Sequence, residues 1–139
     1  MREYARALGF TLKGDHYEKG DTILSCAAGH LLELAEDTAY RGEGKWDKSY
    51  LPLLLQIKDY KYEPKKEENR QAQLNKLGSL LNNPEIGNII VATDPDREGE
   101  LIFRYIYNYF KCKKPFIRVW NSALVDEGIR KAFAHPTYK

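Results

Sequence analysis

The chain has 139 residues, with 22 Lys and Arg against 20 Asp and Glu, a net charge of +2, and is 42% hydrophobic. That length suits one domain around one core, and the apolar fraction excludes a disordered chain. A charge so close to balance excludes a polycationic tail that holds nucleic acid by charge alone, so any such role has to reside in a local site. Cys26 and Cys112 lie far apart with no paired spacing, which speaks against a disulfide framework and a zinc site and fits a reducing cytoplasm. No apolar run approaches the roughly 20 residues of a membrane helix. Met1 leads directly into Arg2-Glu3-Tyr4, unlike a signal peptide.

In chain order, residues 2–8 are predicted to form a helix closed by Gly9. Nothing ahead of this helix caps it and no strand precedes it, so the domain is expected to begin in mid-fold. Gly20-Asp21 between two strand-like runs, 16–19 and 22–27, is a two-residue hairpin signal. Residues 36–50 are polar and aperiodic and are expected to form a long surface loop, followed by a short strand over 59–63. Glu67 to Asn82 is predicted as a helix with Leu74, Leu77, Leu80 and Leu81 on one side. Asn88 to Thr93 is an apolar, β-branched run of the kind buried on both faces of a parallel sheet. A helix over 99–110 follows, with Ile102, Tyr105, Ile106 and Tyr109 at helical spacing; then come a strand over 116–120 and a helix over 125–134. Helix, strand, helix, strand, helix in this order predicts an α/β fold with a right-handed parallel sheet flanked by helices. Residues 15–63 are expected to pack on it as an antiparallel hairpin and loop elaboration.

The stretch from Ala92 to Glu100 (ATDPDREGE) sits where the strand over 88–93 ends and the next helix begins, the place where open parallel sheets hold ligands. A phosphate-binding loop there would be glycine-rich and would aim backbone N–H groups at the anion. Here the protein itself supplies four carboxylates, Asp94, Asp96, Glu98 and Glu100, around a single Arg97. Carboxylates at i, i+2 and i+4 can share a hard cation such as Mg²⁺, which keeps several waters and spends other positions on substrate phosphate. Two such ions would also suit phosphoryl transfer. Any one acid could equally be an ordinary complement to the helix dipole. Four around an arginine, directly after an apolar strand, exceed that role. Pro95 fixes its own φ and favours an extended Asp94.

Ala92 to Ile102 (ATDPDREGELI) resembles the acidic motif of the TOPRIM domain, the metal-binding module shared by topoisomerases, DnaG-type primases and certain nucleases. Its Asp96-Arg97-Glu98-Gly99-Glu100 variant is similar to that of type IA DNA topoisomerases, and Glu100-Leu101-Ile102-Phe103-Arg104 leans towards the topoisomerase III branch. Two more segments resemble the same family. Ala28-Gly29-His30-Leu31-Leu32-Glu33-Leu34 is similar to its Gly-His-Leu segment, with Trp46 and Leu51-Pro52 following as in the family. Arg118 to Leu124 (RVWNSAL) is similar to its Arg-aromatic-Ser strand end.

The resemblance implies a Rossmann-like TOPRIM fold over the whole chain, with Asp94, Asp96 and Glu98 as ligands to Mg²⁺ (or Mn²⁺), Glu100 as their support, and no nucleotide cofactor. It implies catalytic roles for Arg97, which would orient the loop or meet a substrate phosphate, and for Arg118, which would stabilise the scissile phosphate. For Arg118 a structural salt bridge to one of the acids is the competing reading. It also places His30 facing the DNA cleft, against the alternative of a core or capping histidine. The family's first strand, with a Glu-Lys-Pro-Ser segment bearing its proposed acid/base Glu, has no counterpart here, and the nucleophilic Tyr of type IA enzymes lies in a later domain. The expected partners are therefore a single-stranded DNA segment and the remaining topoisomerase domains, with dimerisation through an open strand edge as a further expectation and no membrane contact. Two alternatives stay open: a TOPRIM nuclease or primase, and a non-catalytic cation- or DNA-binding module.

Overall fold

The computed structural model describes residues 1–136 except 43, 46, 52–54, 57 and 58. Trp46 and Pro52, two of the residues in the family-like pattern, lie outside the described residues. The order is α1 (Arg2–Leu8), β1 (Thr11–Lys13), β2 (His16–Lys19), β3 (Thr22–Leu24), β4 (Leu32–Leu34), α2 (Thr38–Arg41), a 3-10 turn (Lys48–Tyr50), β5 (Tyr62–Pro64), α3 (Glu68–Asn82), β6 (Ile89–Val91), α4 (Arg97–Tyr109), β7 (Phe116–Arg118) and α5 (Asp126–Ala134).

Helix α1 ends as expected. Gly9 adopts the left-handed conformation (φ 74°), its N–H bonds to Arg6 O, and the Phe10 N–H reaches back to Ala5 O at 2.8 Å. This double closure satisfies the last carbonyls and needs a residue without a Cβ penalty at φ > 0. The buried face of α1, Ala5 and Ala7, is small enough to bring the helix close to α5. There Arg6 donates from Nε and Nη2 to Asp126 Oδ1 (3.2 and 2.8 Å), Arg130 Nε donates to Ala7 O, and Tyr4 meets Phe133 edge to face.

Strands β1, β2 and β3 form an antiparallel meander, with Gly20-Asp21 as the β2–β3 turn. β4 and β5 pair antiparallel, Leu32 opposite Pro64 and Leu34 opposite Tyr62. Three sequence expectations shift here. A strand precedes the hairpin, the 36–50 region carries α2 and the 3-10 turn, and the strand expected over 59–63 lies at 62–64. Each of these elements is three or four residues long, too short for a periodicity to show. The main core lies between the β4–β5 ribbon and helices α3 and α4, where Leu31, Leu32, Leu74 and Ile106 are buried together with Tyr62, Leu77 and Ile102 against them. Tyr62 stacks on Tyr105 at 4.3 Å, and hydrogen bonding between the two hydroxyls pushes its pKa up to about 12.

Gly78, buried on α3, lets the Phe110 ring approach: a Cβ there would lie 2.3 Å from ring carbons Cε1 and Cζ. Alanine would gain about 1 kcal/mol of helix propensity. Overpacking costs about 1–3 kcal/mol, and Phe110 is half-buried at the end of α4, so it has room to yield. Gly78→Ala is therefore expected to lose about 1 kcal/mol, read as a small drop in urea midpoint; a stabilised variant would mean the ring packs elsewhere.

β6 and β7 run parallel, with Ile89, Ile90 and Val91 opposite Phe116, Ile117 and Arg118. Ile89 N–H donates to Pro115 O and Val91 O accepts from Val119 N–H. In a parallel ladder alternate residues face alternate sides, so the N–H and C=O of Ile90 point away from β7. Among the described residues no strand pairs there. The expectation of a strand buried on both faces is accordingly met by Val91 (3% exposed) but not by Ile90 (45% exposed). A cavity of about 520 Å³ runs along this open edge, floored by Ile89 to Thr93 and walled by Tyr4, Leu77, Leu81, Ile102 and Ile106.

Candidate functional site

The acidic loop leaves β6 at Ala92 and enters α4 at Arg97, two residues earlier than the periodicity places the helix. Asp96 is the reason. Its backbone is extended (φ −130°) and its Oδ1 accepts the Gly99 N–H at 2.6 Å, an N-cap that satisfies one of the helix's orphan donors. Glu98 and Glu100 then fall in the first turn, where the helix dipole favours negative charge. The loop folds tightly over that turn. A Cβ on Gly99 would lie 2.2 Å from the Asp94 carbonyl oxygen, so no other residue fits without moving backbone.

Asp94, Asp96 and Glu98 are all exposed, and all three border the mouth of the cavity beside β6. Gly29 lines the same cavity, and His30 follows it in the chain. Gln73 on α3 clamps the segment before it, donating to Cys26 O (2.9 Å) and accepting from Ala28 N–H (3.1 Å), and Gly29 turns the chain at φ 72°. His30 Nε2 consequently stands 3.4 Å from Glu98 Oε1. The Gly-His-Leu segment and the acidic loop, some 60 residues apart in sequence, thus meet.

Arg118 is 3% exposed and ends β7 beside the loop. Its Nη1 donates to Thr93 Oγ1 (2.6 Å), its Nη2 donates to Asp94 O (2.9 Å), and Nη1 lies 3.5 Å from Glu100 Oε2. Glu100 Oε1 in turn accepts from Arg104 Nε at 2.7 Å, and the Arg104 guanidinium lies over the Phe116 ring at 4.8 Å. Glu100 therefore sits between two arginines, while Arg97 stands exposed at the first position of α4. Sequence reasoning gave no role to Thr93, because a Thr closing a β-branched run looks like one more strand residue.

Among the described residues, no three His, Cys, Asp or Glu side chains converge into a ready-made metal cage. One oxygen of Asp96 is also committed to its helix cap. The donor set is nonetheless all hard oxygen on solvent-facing carboxylates, which fits a cation that keeps most of its water shell and takes few protein ligands. A closed, dehydrated site is not what these residues build.

A family model described as Toprim domain matches residues 2–124. The chain is 37% identical over 139 residues to a DNA topoisomerase 3 of Bacillus cereus, covering 96% of this chain and 18% of that protein. It is 34% identical over 137 residues to proteins of the same name from Shouchella clausii and Bacillus subtilis, covering 95% of this chain and again 18% of theirs. The chain therefore spans about a fifth of the length of the curated relatives it matches.

Proposed function

The chain belongs to the Toprim domain family, and from that premise we propose that it is the cation-binding domain of a type IA DNA topoisomerase of the topoisomerase III branch. The observation that carries this reading is the acidic loop itself, capped onto α4, locked to β7 and touching His30 through Glu98. Its similarity to proteins named DNA topoisomerase 3 gives the reaction class. The whole enzyme would break one DNA strand through a tyrosine outside these residues, pass the other strand through the gap and reseal it without ATP, inside a reducing cytoplasm. No helix among the described residues is long and apolar enough to cross a membrane.

In this reading Asp94, Asp96 and Glu98 would hold Mg²⁺ or Mn²⁺, and the ion would supply positive charge against the DNA phosphate. Arg97, exposed beside them, would meet a neighbouring phosphate. His30 would stay oriented by Glu98 at the edge of the cleft, and Glu100 would balance the two arginines behind the loop.

Crowded carboxylates repel one another, so a cation that binds only the folded loop stabilises it by linkage. Millimolar Mg²⁺ or Mn²⁺ is expected to raise the melting temperature of the 139-residue chain by a few degrees, and the double replacement Asp94→Asn, Asp96→Asn should erase that shift. In the full-length enzyme the same pair should abolish relaxation of negatively supercoiled DNA. A melting temperature indifferent to either ion would remove Asp94, Asp96 and Glu98 as ligands. Metal-dependent nicking by the 139-residue chain without a covalent DNA adduct would instead favour the nuclease alternative.

A further inference from the structure

We propose that Thr93 and Arg118 form a positioning pair that holds the acidic loop in its cation-binding shape, Arg118 acting on the loop rather than on the substrate. The loop's two ends are tied to the same point. Thr93 Oγ1 donates to Gly99 O at 2.9 Å, which pins the first turn of α4, and accepts from Arg118 Nη1 at 2.6 Å. Arg118 Nη2 holds the Asp94 carbonyl at 2.9 Å, and that carbonyl is the atom pressed against Gly99. Residues 95–98, which carry Asp96 and Glu98, are thereby strung between two anchored points. The guanidinium is spent in doing this. It is 3% exposed, both terminal nitrogens point into the loop, and its Nε is buried with no acceptor. To reach a DNA phosphate it would have to abandon Thr93 and Asp94 together. The fork places two donor nitrogens at a fixed separation, one on Thr93 and one on Asp94, and the single compact ammonium of lysine does not reproduce that spacing. A hydroxyl can both donate to Gly99 and accept from Arg118, and valine, of the same shape, can do neither.

The inference rests on the cation reading above for its consequence, but not for its geometry, and the test separates them. In the 139-residue chain without metal, hydrogen exchange of the Gly99 amide, which is held by Asp96, is expected to quicken at least about tenfold in Thr93→Val and in Arg118→Lys, and to stay near the unmodified rate in Thr93→Ser. Mn²⁺ affinity, read by electron paramagnetic resonance, should fall about 10–100-fold in the first two variants and recover in Thr93→Ser. Unchanged Gly99 exchange in a folded Thr93→Val or Arg118→Lys overturns the proposal whatever the metal does. So does a Thr93→Ser variant as impaired as Thr93→Val, because packing and not the hydroxyl would then matter. Should Thr93→Val fail to fold, Arg118→Lys and Thr93→Ser carry the same comparison. No Mn²⁺ binding by the unmodified chain would sink the cation reading and leave the exchange result to decide this one.

Discussion

Gly99→Ala is expected to unseat the acidic loop and to cost the protein more than Gly78→Ala does. Alanine would gain about 1 kcal/mol from helix propensity at this position. Against that, its Cβ would lie 2.2 Å from Asp94 O and 2.9 Å from Asp94 N, both backbone atoms. Unlike the Phe110 ring at Gly78, these cannot rotate away. Asp94 O is held by Arg118 and its chain continues into Pro95, so relief has to come from lifting the loop off α4. That would stretch three contacts at once: Arg118 to Asp94, Thr93 to Gly99 O, and the Asp96 cap on Gly99 N–H. Overpacking at about 1–3 kcal/mol plus a lost cap of about 1 kcal/mol outweighs the propensity gain, leaving a net loss of about 1–3 kcal/mol. Chemical denaturation of Gly99→Ala and Gly78→Ala side by side measures it. A Gly99 variant no less stable than the Gly78 variant would mean that the loop is not seated on the helix as described.

The second large effect concerns the open edge of β6. Fusing an extended apolar strand ahead of residue 1, where the family resemblance places one, is expected to raise the melting temperature by about 6–10 °C. Tyr4 of α1 walls the same cavity as Ile90, so the fused segment need not travel far. Ile90 is 45% exposed, and exchanging a bond to water for a backbone bond contributes only about 0.5–1.5 kcal/mol each time. Covering the remaining apolar surface of Ile90 and its neighbours adds about 1 kcal/mol. A total of about 2–3 kcal/mol corresponds to that temperature shift in a domain of this size. Without the added strand, the bare edge invites pairing with a second copy. A dimer seen by sedimentation that becomes a monomer in the fusion supports the same geometry. If neither melting temperature nor oligomeric state responds, β6 is not the edge of the sheet.

These two sites also show where the sequence was sufficient and where it fell silent. The long elements α3 and α4 announce themselves through leucines and aromatics at helical spacing, and β6 through its β-branched run. The acidic loop is legible because four carboxylates within seven residues exceed what a helix terminus needs. Even there, the helix start was misplaced by two residues, since a Gly99 in the first turn looks like a boundary until its contact with Asp94 is seen. β1, α2 and β5 are too short to carry a period. Arg118 could be assigned to the right sheet edge from the pattern of strands, but whether its guanidinium points out to a phosphate or in to Thr93 depends on side-chain packing across 25 residues of chain. No local pattern encodes that.

The clasp between α1 and α5 bears on how the chain reaches its fold. Arg6 and Asp126 are 120 residues apart, and Arg130 and Ala7 are 123 apart. Helix α1 therefore has its packing partner 120 residues further along the chain. Seven residues are too few for a helix to persist alone in water, so α1 waits for α5 to pack against it. The α3–β6–α4–β7 segment, whose contacts are closer in sequence, has no such wait. Closing so long a loop late is slow but only modestly unfavourable, because loop entropy grows with the logarithm of length. The clasp between α1 and α5 thus acts as a late latch on this domain. Until it shuts, Tyr4 is missing from the wall beside β6, and that apolar edge is most exposed to other nascent chains.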